Sequence, residues 1–152
     1  MALTVSHAVG EPELPVRDVT IGALLREAAT AVPDRLAMIE GITDENARRQ
    51  WTYAELLAEA ERCARALARR FRKGERVACW AHNIPEWVIL EYGCALAGLV
   101  LVTVNPAYRS DEVKYLLSQS RAAGLFVIPE YRGTRCGRWP TTSGLHVRIC
   151  GT

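Results

Sequence analysis

The sequence predicts an α/β fold: parallel-sheet layers with flanking helices, plus a short N-terminal hairpin. Three observations predict it. From Val77 to Ile128, short apolar runs alternate with helical patterns. The runs Val77 to Trp80, Leu99 to Val104 and Leu125 to Ile128 are apolar almost throughout, as strands buried on both faces are. Parallel strands joined by helices require crossovers, and those are right-handed. Upstream, two short strand-like segments flank a polar turn, which is the pattern of a hairpin.

Residues 1–19 read as irregular, with Pro12 and Pro15. Thr20 can cap a helix through Leu24, Leu25 and Ala28 that stops before Pro33. Leu36 to Glu40 and Arg48 to Thr52 are the hairpin strands, with Gly41 to Ala47 as their turn. Thr52-Tyr53-Ala54-Glu55 has the capping-box pattern, in which hydroxyl and carboxylate satisfy reciprocal backbone N–H groups. Leu56, Leu57, Ala60, Cys63, Ala64, Leu67 and Phe71 then recur at helical spacing. Arg69, Arg70, Arg72 and Lys73 suit the negative end of the helix dipole, and Gly74 can close the helix in a left-handed conformation.

Val77 to Trp80 is the next strand. Pro85 opens a helix that runs to Ala97 and stops at Gly98. Its residues are apolar in nearly every direction, so it expects burial on more than one side. Leu99 to Val104 follows as a strand, then an Asn105 to Arg109 loop. Ser110 is expected to cap a helix with Asp111 and Glu112 in its first turn, and Gly124 to end it. Leu125 to Ile128 is the last clear strand. In Gly133 to Thr152, only Leu145 to Ile149 could alternate as one.

The 152 residues leave room for one domain-sized core. Apolar residues at 49% and charged residues at 24% exclude a disordered tail, a collagen and a coiled-coil rod. The net charge is +2, and three Arg without any acid lie beyond Arg132, so the body is near neutral. That excludes a surface built to track nucleic-acid phosphates. Residues 1–16 lack Lys, Arg and an apolar run, which argues against a secretory signal. The longest apolar stretch, Val88 to Val104, is broken by Glu91 and split at Gly98, so no transmembrane segment is expected. The location expected is cytoplasmic. Cys63, Cys79, Cys94, Cys136 and Cys150 form no CxxC pair. They read as small buried hydrophobes in a reducing compartment, against a zinc or disulfide alternative.

Several motifs could suggest a site, and each has a plainer reading. Gly93 and Gly98 have the spacing that opens a phosphate loop, but Leu99 and Val100 stand where Lys and Ser/Thr are needed. Packing glycines explain them. Thr141-Thr142-Ser143-Gly144 is polar and Gly-ended but lacks a flanking strand, helix and Lys. His82 and Asn83 follow a buried strand, where ligands of parallel sheets bind. No acid or Ser nearby completes a catalytic set, so a solvated or capping role competes. Arg69 to Lys73 reads as a solvated helix end. Trp80 and Trp87 read as core rather than as a base-stacking platform. No catalytic, cofactor-binding or metal residue is assigned.

The stretch from about Thr20 to Arg132 resembles the amino-terminal part of adenylate-forming (AMP-dependent) enzymes, most like the fatty-acyl-CoA and medium-chain acyl-CoA synthetases. The residues that carry the resemblance are Trp51-Thr52-Tyr53-Ala54-Glu55-Leu56, Gly74-Glu75-Arg76-Val77-Ala78, Asn83-Ile84-Pro85-Glu86-Trp87, Ala97-Gly98 and Val104-Asn105-Pro106-Ala107-Tyr108. The resemblance implies a two-step ligase. A carboxylate attacks the α-phosphate of ATP to give an acyl-adenylate, and the thiol of coenzyme A then displaces AMP. It implies a fatty or other carboxylic acid, ATP and coenzyme A as substrates, with magnesium. The family's phosphate loop with its Lys, its ribose-holding acid and its carboxyl-terminal Lys have no counterpart in this sequence. The resemblance therefore implies an incomplete piece of the large N-terminal domain, inactive alone, that needs the remainder or a partner for solubility.

The expected division is thus 1–19 irregular, 20–132 partial synthetase domain and 133–152 a non-matching tail. Arg, Gly, Cys, Trp and Pro with no acid, as in Arg135 to Thr152, are what a shifted frame yields in a GC-rich gene. A divergent but genuine tail is the alternative. Two rival functions stand beside a truncated synthetase: a free-standing α/β protein-interaction module, and a small nucleotide-binding domain.

Overall fold

In the computed structural model, residues 10, 16–128, 130–131, 134–135 and 146–149 are described, with side chains through residue 128. The elements run α1 Ile21–Ala31, β1 Leu36–Ile39, a 3-10 turn Glu45–Ala47, β2 Gln50–Thr52, α2 Tyr53–Ala68, β3 Arg76–Trp80, α3 Pro85–Ala97, β4 Val100–Val104, α4 Ser110–Ser120, β5 Gly124–Val127, β6 Glu130–Tyr131, β7 Thr134–Arg135 and β8 His146–Ile149. Cys136, Cys150, the Thr141-Thr142-Ser143-Gly144 segment and most of 1–15 lie outside the described residues.

The sheet order is β4-β3-β5-β8. β3 pairs in parallel with β4, Arg76 opposite Val100, and with β5, Val77 opposite Gly124. β8 adds an antiparallel edge, Gly124 opposite Ile149. β1 and β2 form the separate antiparallel hairpin, and β6 pairs with β7 in another.

Alternation along β3 divides the core. Val77 and Cys79 face α2 and α3, where they meet Leu67, Phe71, Leu90 and Cys94. Ala78 and Trp80 face the other way, toward Val104, Val113, Leu125 and Val127, with α4 covering that side. A third cluster of Leu25, Leu56 and Ala60 joins α1 to α2 and to the hairpin residues Met38 and Trp51. Trp80 and Trp87 both pack against core clusters, as their apolar neighbours predicted. No residue of α3 is exposed: it packs on α1, α2 and the sheet. β4 lies at the sheet edge with Val100 half exposed. No helix among the described residues is long and apolar enough to cross a membrane.

Capping follows the residue types with three corrections. Thr20 accepts from the Ala23 N–H, and Thr52 and Glu55 make both bonds of the expected box, at 3.2 and 2.8 Å. Ser110 is not the cap of α4 but its first helical residue. Arg109 stands at the cap, and its N–H donates to the Glu112 carboxylate at 2.8 Å. A first-turn carboxylate can satisfy the cap N–H without any help from the cap's own side chain. Gly124 does not end α4 but opens β5. The helix stops at Arg121, which takes the left-handed conformation with φ 52°. Gly74 is left-handed (φ 87°), yet it does not close α2, which ends six residues earlier. Its N–H instead donates to the Gly98 carbonyl at 2.8 Å, tying the entries of β3 and β4 together.

Candidate functional site

The connection after β3 leads to α3 on one face of the sheet. The connection after β4 leads to α4 on the other. Two adjacent parallel strands whose exits diverge leave a crevice beyond their carboxyl ends, the usual ligand position in this architecture. Here the crevice is about 380 Å3 and is lined by Ala81, Asn83, Trp87, Thr103, Pro106 and Tyr108, among others.

Its floor is held by the Asn105-Pro106-Ala107-Tyr108 turn. The Asn105 carbonyl accepts from the Tyr108 N–H at 3.0 Å, closing a β-turn with proline at its favoured second position. Asn105 Oδ1 accepts from the Ala107 N–H at 2.9 Å. The Trp80 indole N–H donates to the Asn105 carbonyl at 3.1 Å. Each residue of that sequence stretch therefore has a structural task in shaping the crevice.

A second cleft, of about 580 Å3, opens between the hairpin and the start of α3. Its walls include Met38, Glu40 and Ile42 on one side and His82, Asn83 and Trp87 on the other. The two candidate residues from the sequence thus lie together, both exposed, with Asn83 between the two recesses.

One charged constellation borders this cleft. Arg49 donates to the Glu40 carboxylate through Nε and Nη2, at 2.9 and 2.7 Å, and to the Glu86 carboxylate through Nη1, at 2.7 Å. Its guanidinium lies 5.3 Å from the centre of the Trp51 ring. The bonds from Arg49 hold both carboxylates below their ordinary range, and partial burial opposes the effect at each. The arginine is correspondingly held in its charged form. Glu86 also sits in the first turn of α3, where a negative charge is favoured. Sequence reading missed this bridge. The signal was there: hairpin pairing sets Glu40 beside Arg49, whose carbonyl accepts the Glu40 N–H at 2.9 Å.

Cys63, Cys79 and Cys94 are free thiols. Burial pushes Cys79 and Cys94 up to about 12, which leaves both as inert core groups. Among the described residues no group of three His, Cys, Asp or Glu could hold a metal ion.

The sequence profile of the "AMP-binding enzyme" family matches residues 25–147, most of the chain and past Arg132. The chain belongs to the AMP-binding enzyme family. It is 45% identical to the putative acyl-CoA synthetase YngI of Bacillus subtilis over 76% of this chain and 20% of that protein. It is 35% identical to the mitochondrial medium-chain acyl-CoA ligase ACSF2 of Danio rerio, over 76% of this chain and 18% of the relative. The N-terminal domain of FACL13 from Mycobacterium tuberculosis superposes with a TM-score of 0.65 at 38% identity, over 71% of this chain and 26% of that domain structure. The chain therefore spans about one-fifth of the length of these curated relatives. It corresponds to part of the N-terminal domain of an AMP-binding enzyme, with the parallel sheet that the motifs predicted.

Neither the crevice nor the cleft suits the family's nucleotide. A triphosphate needs cations or a row of converging N–H groups. Neither recess has a Lys or Arg in its wall. A more open recess of about 670 Å3 on α4 is lined by Asp111 and Glu112, the wrong charge for phosphate. These residues do not fit ATP with magnesium, and no catalytic step is assigned to them.

Proposed function

We propose that this chain is scaffold from an acyl-CoA synthetase and does not catalyse adenylation alone. The whole enzyme would join a fatty or other carboxylic acid to coenzyme A at the expense of ATP. The carboxylate would displace pyrophosphate from ATP, and the thiol would then displace AMP. ATP, magnesium and coenzyme A belong to that larger protein, and we assign none of them to residues of this chain. The observation that carries the reading is the family match over 25–147, combined with recesses that offer no cation to phosphate.

The role of this portion would be to shape the sheet and the Asn105 turn against which the rest of the domain packs. Exposed Ile21 and Leu24 on α1 are apolar surfaces that such packing would cover. Dependence on that remainder, or on a partner, for solubility belongs to the same proposal. So does a cytoplasmic location, which the three free thiols support.

The test is ATP–pyrophosphate exchange by the purified chain across fatty acids of several lengths. We expect no exchange above a no-protein control. Stabilisation of charge on the transferring phosphoryl group normally supplies most of the catalysis, and these recesses offer nothing to provide it. Exchange well above that control, with contaminating ligase excluded, would overturn the proposal. A second arm mixes the chain with a polypeptide carrying the rest of the family's N-terminal domain. Co-elution is expected, and its absence would favour a free-standing interaction module.

A further inference from the structure

At the end of the sheet opposite the crevice, the chain gathers cations that are far apart in sequence. Arg69, Arg70, Arg72 and Lys73 follow α2, Arg76 opens β3, and Arg121 ends α4. The backbone draws them together. The Ala123 N–H donates to the Arg76 carbonyl at 2.8 Å, and the Gly74 N–H to the Gly98 carbonyl. All six side chains are exposed.

Arg17, Arg26, Arg48, Arg49, Arg62 and Arg65 each meet a carboxylate. None of the six at this end forms an ion pair among the described residues. Elsewhere among the described residues only the side chains of Arg35, Arg109 and Lys114 also lack a carboxylate partner. The acid within that turn, Glu75, turns its carboxylate to the Arg72 backbone N–H at 2.8 Å.

Two further observations point outward. Arg121 stops α4 in a left-handed conformation (φ 52°, ψ 45°) that glycine adopts freely and an L side chain does not. A charged side chain is thus held at a strained position on this end. Beside the cations stands an exposed apolar residue: Val100, paired directly with Arg76 across the β3–β4 ladder and half exposed.

We propose that this end of the sheet is a docking surface for an anionic lipid bilayer. Unpaired cations supply attraction to acidic headgroups, and each contributes near the surface of such a membrane. Val100 supplies an apolar contact within the basic field. Nucleic acid is the poorer fit, because Phe71, the aromatic side chain within the basic run, is buried in the core and cannot stack on a base. The surface is independent of the ligase reading, since it involves neither recess.

The experiment is co-sedimentation of the 152-residue chain with two kinds of vesicle: phosphatidylcholine alone, and phosphatidylcholine mixed two to one with phosphatidylglycerol. Binding to the acidic vesicles is expected, falling with salt, with none to the neutral ones. Arg72→Gln/Arg76→Gln should weaken it about 25-fold, at a factor of about 5 per cation. Arg35→Gln/Lys114→Gln removes the same charge from exposed positions elsewhere and should leave it unchanged. An equal loss in both pairs would show that net charge alone is sensed and would overturn the proposal. Failure to bind acidic vesicles would do the same, as would equally tight binding to a DNA duplex at matched phosphate.

Arg121→Gly gives a variant that does not risk the fold. Vesicle binding should weaken about fivefold, while the denaturation midpoint should not fall, because backbone strain is relieved. A lower midpoint with unchanged binding would assign the cations to the helix ends instead.

Discussion

Gly93 lies in the middle of α3, where an exposed glycine would be replaced by alanine with a gain of about 1 kcal/mol. The structure reverses that sign. A Cβ built on Gly93 would lie 2.6 Å from Cys63 Sγ and 2.9 Å from Cys63 Cβ, with the Ala60 carbonyl oxygen at 3.5 Å. The sulfur can move by rotation about its Cα–Cβ bond. Cys63 Cβ cannot, because it is fixed to the backbone of α2. Relief therefore requires α2 to withdraw from α3 by several tenths of an ångström.

That withdrawal disturbs the face that packs Leu67, Cys79, Leu90 and Cys94. Overpacking of a close-packed site costs about 1–3 kcal/mol. Subtracting the propensity gain of about 1 kcal/mol leaves Gly93→Ala destabilised by about 1–2 kcal/mol at the upper part of the range. The assay is urea unfolding followed by far-ultraviolet circular dichroism, comparing midpoints at constant slope. Cys63→Ala removes the sulfur but keeps Cβ, so the double variant should recover part of the loss but not all. A Gly93→Ala protein as stable as the parent, or more so, would refute the reasoning, because the helices would then not be in contact at this point.

The remaining expectations are smaller. Arg49→Met should loosen the hairpin from α3, the lost Trp51 ring contact alone being worth about 0.5–1 kcal/mol at an exposed site. Glu40 and Glu86 are held below their ordinary value of 4.5 in the fold, so they bind fewer protons there than in the unfolded chain. Their stabilisation is present above that value and lost as pH falls through the lowered folded values. The stability gap between parent and Arg49→Met should accordingly narrow below about pH 4.5. A gap that widens on acidification would contradict the bridge. Thr52→Ala should cost about 1 kcal/mol through loss of one capping bond, and Thr52→Ser should restore most of it, both read as shifts of the thermal midpoint.

Much of this architecture was legible because short-range physics fixes it. The Thr52–Glu55 box, the Pro85 start and the left-handed Gly98 stop each depend on a few neighbouring residues, and each stands where the residue types placed it. Strands β3 and β5 were legible for a different reason: strands covered on both faces cannot hold polar residues, whereas β4 has the same apolar pattern but lies at the edge with Val100 and Thr103 exposed. Where the reading slipped, a non-local or substitute group had taken over. Gly74 reads as the end of α2 by proximity, but its backbone N–H is committed to the Gly98 carbonyl, which no local pattern reveals. Arg121 ends α4 in a conformation for which glycine is the default, so its residue type carries no stop signal. The candidate site divides along the same line. His82 and Asn83 were accessible to reasoning because the carboxyl end of a parallel strand is a general rule of topology. The Arg49 bridge and the unpaired basic end each needed three elements to converge. A run such as Arg69 to Lys73 looks like ordinary helix-end solvation until Arg76 and Arg121 are placed beside it and its lack of carboxylate partners becomes visible. Information of that kind lies in the pairing of charges across the fold, which a one-dimensional count of +2 averages away.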